Sequence, residues 1–193
     1  MKHFIVAALA MLPLAAYADE NVSKCDVHGF ANDPDPEGTN IRSGPSASAP
    51  VIGHLPPRHY EKQADVTISP EFEIIGSKDG WLQIANATDG HVGEDNTFTF
   101  KGPGWISGAL VGFTIGSTQL RSAPSLDAPK TVSLMNGSFG PDSYDVKRVY
   151  ACKDRFVDIS VQLSSNMKKS APVMRGWAAT VCSNRLTTCD GGE

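Results

Sequence analysis

The sequence predicts an all-β fold made from one small module used twice, and three observations carry that prediction. Short apolar–polar alternations recur between turn residues along the 193-residue chain. Its 18 glycines and 13 prolines are scattered evenly, and no stretch keeps a helical period. Three sequence blocks occur twice in the same order. A period of two marks a half-buried strand, and frequent glycine and proline punctuate short strands.

The N-terminus reads as an export signal. Met1-Lys2-His3 is a short positive start, residues 4–15 are apolar, and Ala16-Tyr17-Ala18 gives the small-x-small pattern of a cleavage site. Cleavage is expected after Ala18, making 1–18 a signal peptide. A spanning helix needs about 20 apolar residues, and this run is shorter and holds Pro13. Asp19, not a cysteine, follows the cleavage site, which argues against a lipid anchor. The expected location is periplasmic or secreted.

Charge and cysteines narrow the function. The formal net charge is −4, and the leader removes one lysine and no acid. A mildly acidic exported chain lacks the basic face that nucleic acid or anionic lipid requires. Lys147-Arg148 and Lys168-Lys169 read as isolated solvated pairs. The four cysteines are Cys25, Cys152, Cys182 and Cys189. In an oxidising compartment an even count reads as two disulfides, with three connectivities open. Cys182 to Cys189 is the simplest local bridge, which leaves Cys25 to Cys152. C-x-x-C spacing is missing, so no metal site and no cofactor are expected.

The repeat is explicit. Asn40-Ile41-Arg42-Ser43-Gly44-Pro45-Ser46 is matched by Gln119-Leu120-Arg121-Ser122-Ala123-Pro124-Ser125, and each leads to a further proline, Pro50 or Pro129. Lys78-Asp79-Gly80-Trp81-Leu82-Gln83-Ile84 is matched by Lys153-Asp154-Arg155-Phe156-Val157-Asp158-Ile159. Gly104-Trp105-Ile106 is matched by Gly176-Trp177-Ala178. In the first block an aliphatic residue is expected to point inward and an arginine outward. The following turn draws on proline's preset φ and on glycine's access to positive φ. In the second, Lys-Asp-Gly is a hairpin signal ahead of a half-buried strand. In the third, Gly-Trp opens a strand whose tryptophan can cover the end of a small barrel. Five such strands suffice to close an SH3-like barrel.

These blocks, with Val51-Ile52-Gly53 between them, resemble the bacterial SH3 domain. The resemblance implies two SH3-like barrels in tandem, at 26–113 and 114–193. The second copy departs from the pattern at Ala123, Phe156 and Ala178. The first carries long extra segments at 56–71 and 86–103, where the family turns tightly. The family supplies binding modules of cell-wall enzymes and envelope proteins, whose catalysis comes from a separate domain. The resemblance therefore implies a non-catalytic module recognising a cell-wall peptide or glycan, or an exported protein partner.

The candidate binding residues are Arg58, His59 and Tyr60 in the first extra segment and His91 in the second, because aromatic and arginine side chains on loops are enriched in binding surfaces. Trp81 and Trp105 are the alternative platform, although tryptophans that open strands, Trp177 included, are more often core. Catalytic readings fail on pattern. His28, His54, His59 and His91 all precede Cys152, contrary to the Cys-then-His order of wall peptidases carrying such domains. The pair Cys182-Ser183 only superficially suggests a nucleophile, and no G-x-S-x-G elbow occurs. Asp33-Pro34-Asp35-Pro36-Glu37-Gly38 begins like a calcium loop, but Gly44 stands where the twelfth-position carboxylate belongs, so it reads as an acidic turn. Asp158 is a lone carboxylate on a strand. Oligomeric state is left open.

Overall fold

In the hairpin that carries the Lys78-Asp79-Gly80 signal, the alternation does what it predicts. In Trp81–Thr88 the apolar residues Leu82, Ile84 and Ala87 are fully buried, and in Glu71–Lys78 Phe72 and Ile74 are buried between half-exposed glutamates. The structure, a computed structural model, describes residues 21–62, 64–91, 97–167, 170–183 and Cys189. The expected signal peptide and the pair Lys168-Lys169 lie outside these residues. The described chain is all-β, with short 3-10 turns at Gly108–Leu110 and Pro141–Ser143. No helix among the described residues is long and apolar enough to cross a membrane.

In chain order the strands are β1 (Ser23–Ala31), β2 (Thr39–Arg42), β3 (Val51–Leu55), β4 (His59–Glu61), β5 (Val66–Ile68), β6 (Glu71–Lys78), β7 (Trp81–Thr88), β8 (Phe98–Phe100) and β9 (Gly104–Ser107). They continue as β10 (Val111–Gly112), β11 (Thr114–Ile115), β12 (Gln119–Arg121), β13 (Lys130–Ser133), β14 (Tyr144–Lys153), β15 (Phe156–Leu163), β16 (Met174–Ala178) and β17 (Val181–Cys182). The N-terminal sheet runs β10-β1-β6-β7-β9-β2-β3, with β8 paired to β7. The C-terminal sheet runs β13-β12-β16-β15-β14. Read from its β3 edge, the first sheet gives β3-β2-β9-β7-β6, the same order of repeat blocks as the whole second sheet.

The correspondence extends to single bonds. Arg42 pairs with Trp105 as Arg121 pairs with Trp177. A register shift falls at Ile41/Arg42 in one copy and at Leu120/Arg121 in the other. Ser43 N–H donates to Pro50 O at 2.9 Å, and Ser122 N–H to Pro129 O at 3.0 Å. The arginines do not point outward as expected. Arg42 donates from Nη1 to Ala49 O at 2.8 Å, and Arg121, 5% exposed, donates from Nη1 to Leu126 O at 2.7 Å and Ala128 O at 3.2 Å. Each guanidinium satisfies carbonyls that the turn leaves without a ladder partner.

Gly44 also corrects the expectation. It is absent from the positive-φ residues, and a Cβ there would meet only Ala49 Cβ at 3.7 Å. Ala123 therefore fits the same turn in the second copy. Positive φ is needed instead at Asp79 (51°) and Gly80 (79°), as the hairpin signal implied, and at Asp154 (50°).

The two sheets share one continuous cluster of buried side chains, from Ile41, Phe72 and Ile84 through Phe113 and Ile115 to Val149 and Ile159. The seam is locked by backbone and by sulfur. Cys25 on β1 is bonded to Cys152 on β14, and Cys182 to Cys189. Beside the first bridge, Asp26 N–H donates to Asp154 O at 2.9 Å, and Asp154 N–H to Lys24 O at 2.8 Å. The buried Ser77 hydroxyl accepts from Cys152 N–H at 2.9 Å and donates to Cys152 O at 3.0 Å. Gly108 lies so close to β14 that a Cβ would stand 2.0 Å from Val149 O.

Candidate functional site

The described residues of the two extra segments include the short strands β4, β5 and β8, and the two segments meet. Residues 56–71 contain the β4–β5 hairpin, turned at Asp65 with φ 56°. Tyr60 is 60% exposed on it. Its hydroxyl donates to the Asp65 carboxylate, which pushes the phenol above its ordinary pKa. In the other segment, Asp89 N–H donates to Thr97 O at 3.0 Å, and Asp89 Oδ1 accepts from His91 N–H at 3.1 Å and Thr97 N–H at 3.2 Å. Desolvation alone would raise the Asp89 carboxyl. The two backbone donors and the nearby His91 ring outweigh it, so the group sits below the usual carboxylate value.

The two segments dock at His59 and His91, whose rings stack with centroids 5.3 Å apart. Gly90, at φ 85°, lies where a Cβ would be 1.9 Å from Ser69 O, so glycine is required for this approach. The structure thus brings His59 and His91 together. Arg58 turns away, donating from Nη1 to Asn32 Oδ1 at 3.1 Å. Trp81 and Trp105 stand apart from the hairpin, on β7 and β9. Trp105 is 6% exposed and belongs to the core, while Trp81 is half-buried.

Arg58 leads to a cleft of about 470 Å³ at the seam. The N-terminal half contributes Phe30, Asn32 and Arg58, and the C-terminal half Asp142, Tyr144, Asp145, Val146 and Lys147, with Phe113 and Ile115 between them. Along β14 the alternation buries Tyr144 and Val146 and leaves Asp145 and Lys147 exposed. Lys147 Nζ lies 3.6 Å from Asp145 Oδ2, and Ser164 Oγ donates to Asp145 Oδ1 at 2.7 Å. Sequence reasoning found Arg58 but missed this second wall. Its signal was present in the alternating Tyr144-Asp145-Val146-Lys147. Lys147 and Arg148 are both exposed, as a solvated pair should be; Lys147 also lines the cleft, and Arg148 lies over the Tyr150 ring at 5.5 Å. The cleft offers cationic donors, carboxylate acceptors and an apolar floor, which suits an extended ligand carrying both charges.

The residues set aside on pattern have structural partners. Asp33 Oδ1 accepts from Asp35 N–H at 3.0 Å, Asp33 Oδ2 from the Thr39 hydroxyl at 3.0 Å, and Asp35 Oδ1 from Glu37 N–H at 2.9 Å. These bonds fold the acidic turn on itself. Asp158 is not alone: Arg175 Nε and Nη2 reach its two oxygens at 3.1 and 2.7 Å, and the Arg175 guanidinium lies 3.6 Å from the Tyr150 ring centroid. Cys182 is held in its disulfide, so its sulfur is no thiolate. Among the described residues, no group of three or more His, Cys, Asp or Glu is placed to hold a metal ion.

No protein-family model, no curated protein and no solved structure matches the chain.

Proposed function

We propose that this chain is an exported, non-catalytic binding protein built from two tandem bacterial SH3-like barrels, at 26–113 and 114–193, behind a signal peptide at 1–18. The five-strand order common to both halves supports the repeat. The arginine-filled Ser-x-Pro-Ser turns support it in detail. The two disulfides fit a periplasmic or secreted location. The observation that carries the binding role is the seam cleft, lined by Arg58 from the inserted segment and by Asp142, Asp145 and Lys147 of the second copy. Its ligand is a cell-wall peptide or glycan fragment bearing charged groups, held by shape and paired charges and released unchanged.

Co-sedimentation with purified cell wall tests this reading. The wild-type protein is expected in the pellet, and Arg58→Ala and Lys147→Ala are each expected to lower wall affinity about tenfold, the effect of one lost charge-assisted contact. Failure of the wild-type protein to pellet with any wall preparation overturns it. The exposure of Tyr60 on the inserted hairpin favours a second reading, a protein-interaction factor such as an inhibitor, immunity or assembly protein. That reading requires a stoichiometric partner in a periplasmic pull-down that is lost in Tyr60→Ala.

A further inference from the structure

The solvent-facing side of the N-terminal sheet carries a second polar pocket. In register, His28 on β1 lies beside Glu73 on β6, and Glu73 beside Ala85 on β7. One row on, Glu71 lies between Phe30 and Thr88, and Thr88 pairs with Phe98 on β8. Glu71 and Glu73 are two residues apart on one strand. They therefore share a face, with backbones about 6.5 Å apart. The bulge between them on β7 sets Asn86 at φ 49°, and its Nδ2 donates to Glu73 Oε2 at 3.0 Å. Ser183 Oγ donates to Glu71 Oε2 at 3.2 Å.

These groups line a pocket of about 390 Å³, with Phe98, 60% exposed, among its walls. Among the described residues that line it, His28 is the only basic one. Glu71 and Ser183 also line an adjoining recess that holds Ser69. The Ser69 hydroxyl, in a residue 6% exposed, has no hydrogen-bond partner among the described residues. Ser183 and Asn86 each already donate to one of the glutamates. What the pocket still offers is carboxylate lone pairs and an aromatic face, with the Ser69 oxygen in the adjoining recess beside Glu71. A ligand that matches it brings several donors, a positive charge and an apolar stem.

We propose that this face binds a primary ammonium carried on an aliphatic stem. The ammonium sits between Glu71 and Glu73 with Ser69 as a further acceptor, and the stem lies on Phe98. Burial pushes the Glu71 carboxyl above its ordinary value, against the bond from Ser183 and the charge of His28. The wider pocket shares no lining residue with the seam cleft, so the site stands whether or not that cleft binds cell wall.

Calorimetric titration of the full mature protein tests the site with three probes: 1,5-diaminopentane, an end-blocked Gly-Lys-Gly peptide, and the same peptide acetylated on the lysine amine. The amine probes are expected to bind, and acetylation is expected to weaken binding at least tenfold. Binding of the diamine alone assigns a free amine, and binding of both assigns a peptide-borne one. Glu71→Gln and Glu73→Gln are each expected to weaken binding at least fivefold, and Phe98→Ala about threefold. Thermal melts must show the variants folded, and the isosteric Gln replacements favour this. The proposal is overturned if the acetylated peptide binds as tightly as the free amine. It is also overturned if the folded Gln variants bind like wild type, or if a neutral N-acetylglucosamine oligomer binds while the amines do not.

Discussion

Gln83 and Asp158 occupy the same place in the same strand order, each beside a tryptophan, yet their surroundings differ. The tryptophan lies at the start of β9 in one copy but near the end of β16 in the other, contrary to the expected strand opening. Beside Gln83, Trp105 is buried as part of the core. Beside Asp158, Trp177 is half-buried, and the carboxylate, in a residue 8% exposed, is capped by Arg175 stacked on Tyr150. The first copy also gains β1 on its β6 side and an inserted hairpin, while the second ends at β14 and leans on the seam. One architecture is thus completed by added strands in one half. In the other it is completed by an ion pair, a cation–π stack and a disulfide to the neighbour. Smaller sheets bury a smaller fraction of their surface and need such cross-links more.

Cutting the cross-links should break this comparison most visibly. Replacing Cys25 and Cys152 together by alanine opens a loop of sequence separation 127, which the chain-entropy account values at about 5 kcal/mol. Replacing Cys182 and Cys189 opens a separation of 7, valued at about 2–3 kcal/mol. Denaturant midpoints should rank the two pairs in that order. Hydrogen exchange on reduced protein should show residues 114–193 losing protection before 26–113.

The matched arginines sharpen the comparison at a single position. Arg121→Ala removes a buried guanidinium serving two carbonyls and should cost about 2 kcal/mol, against about 1 kcal/mol for Arg42→Ala with its one carbonyl bond. Chemical denaturation of the two variants reads the difference, and equal losses would mean the turns are not equivalent.

A smaller effect, of opposite sign, is expected one turn on. Because Gly44 is outside the positive-φ region and has room for a Cβ, Gly44→Ala should stabilise the protein by about 0.4–1 kcal/mol, and Ala123→Gly should cost about as much. Loss of stability in Gly44→Ala would show that the first turn needs glycine after all.

The smallest effect is local to the insertion that only the first copy has. The folded-state pKa of Asp89 is depressed, so its contribution is present above the ordinary carboxylate value of 3.8 and is lost as pH falls through the lower folded value. The Thr97 and His91 amide resonances should move in that acid window. Replacement by Asn at position 89 should abolish the movement while the second copy stays unaffected.

What could be read ahead of the structure was whatever local chemistry decides. The Lys78-Asp79-Gly80 hairpin, the alternation in Trp81–Thr88 and the order of the repeat blocks all rest on neighbours in the chain. The direction of Arg42 and Arg121 was misread because an amphipathic pattern cannot see carbonyls that a turn folds back seven residues later. The stack of His59 on His91, the contact of Gly90 with Ser69 and both pockets depend on register between distant segments. Arg58 was visible as a loop arginine, but Asp142 and Lys147, which line the same cleft, sit in the other copy, and no local pattern joins them.

The disulfide pattern has a consequence for assembly order. Along the chain the cysteines come as 25, 152, 182 and 189, and the bridges join the first to the second and the third to the fourth. An oxidant acting on each cysteine as it emerges into an oxidising space, N-terminus first, would form the native pairs in sequence. No wrong bridge has to be undone by an isomerase. Cys25 nevertheless waits with a free thiol until nearly the whole of β14 has arrived, so its sealing reports that the second half has reached the first.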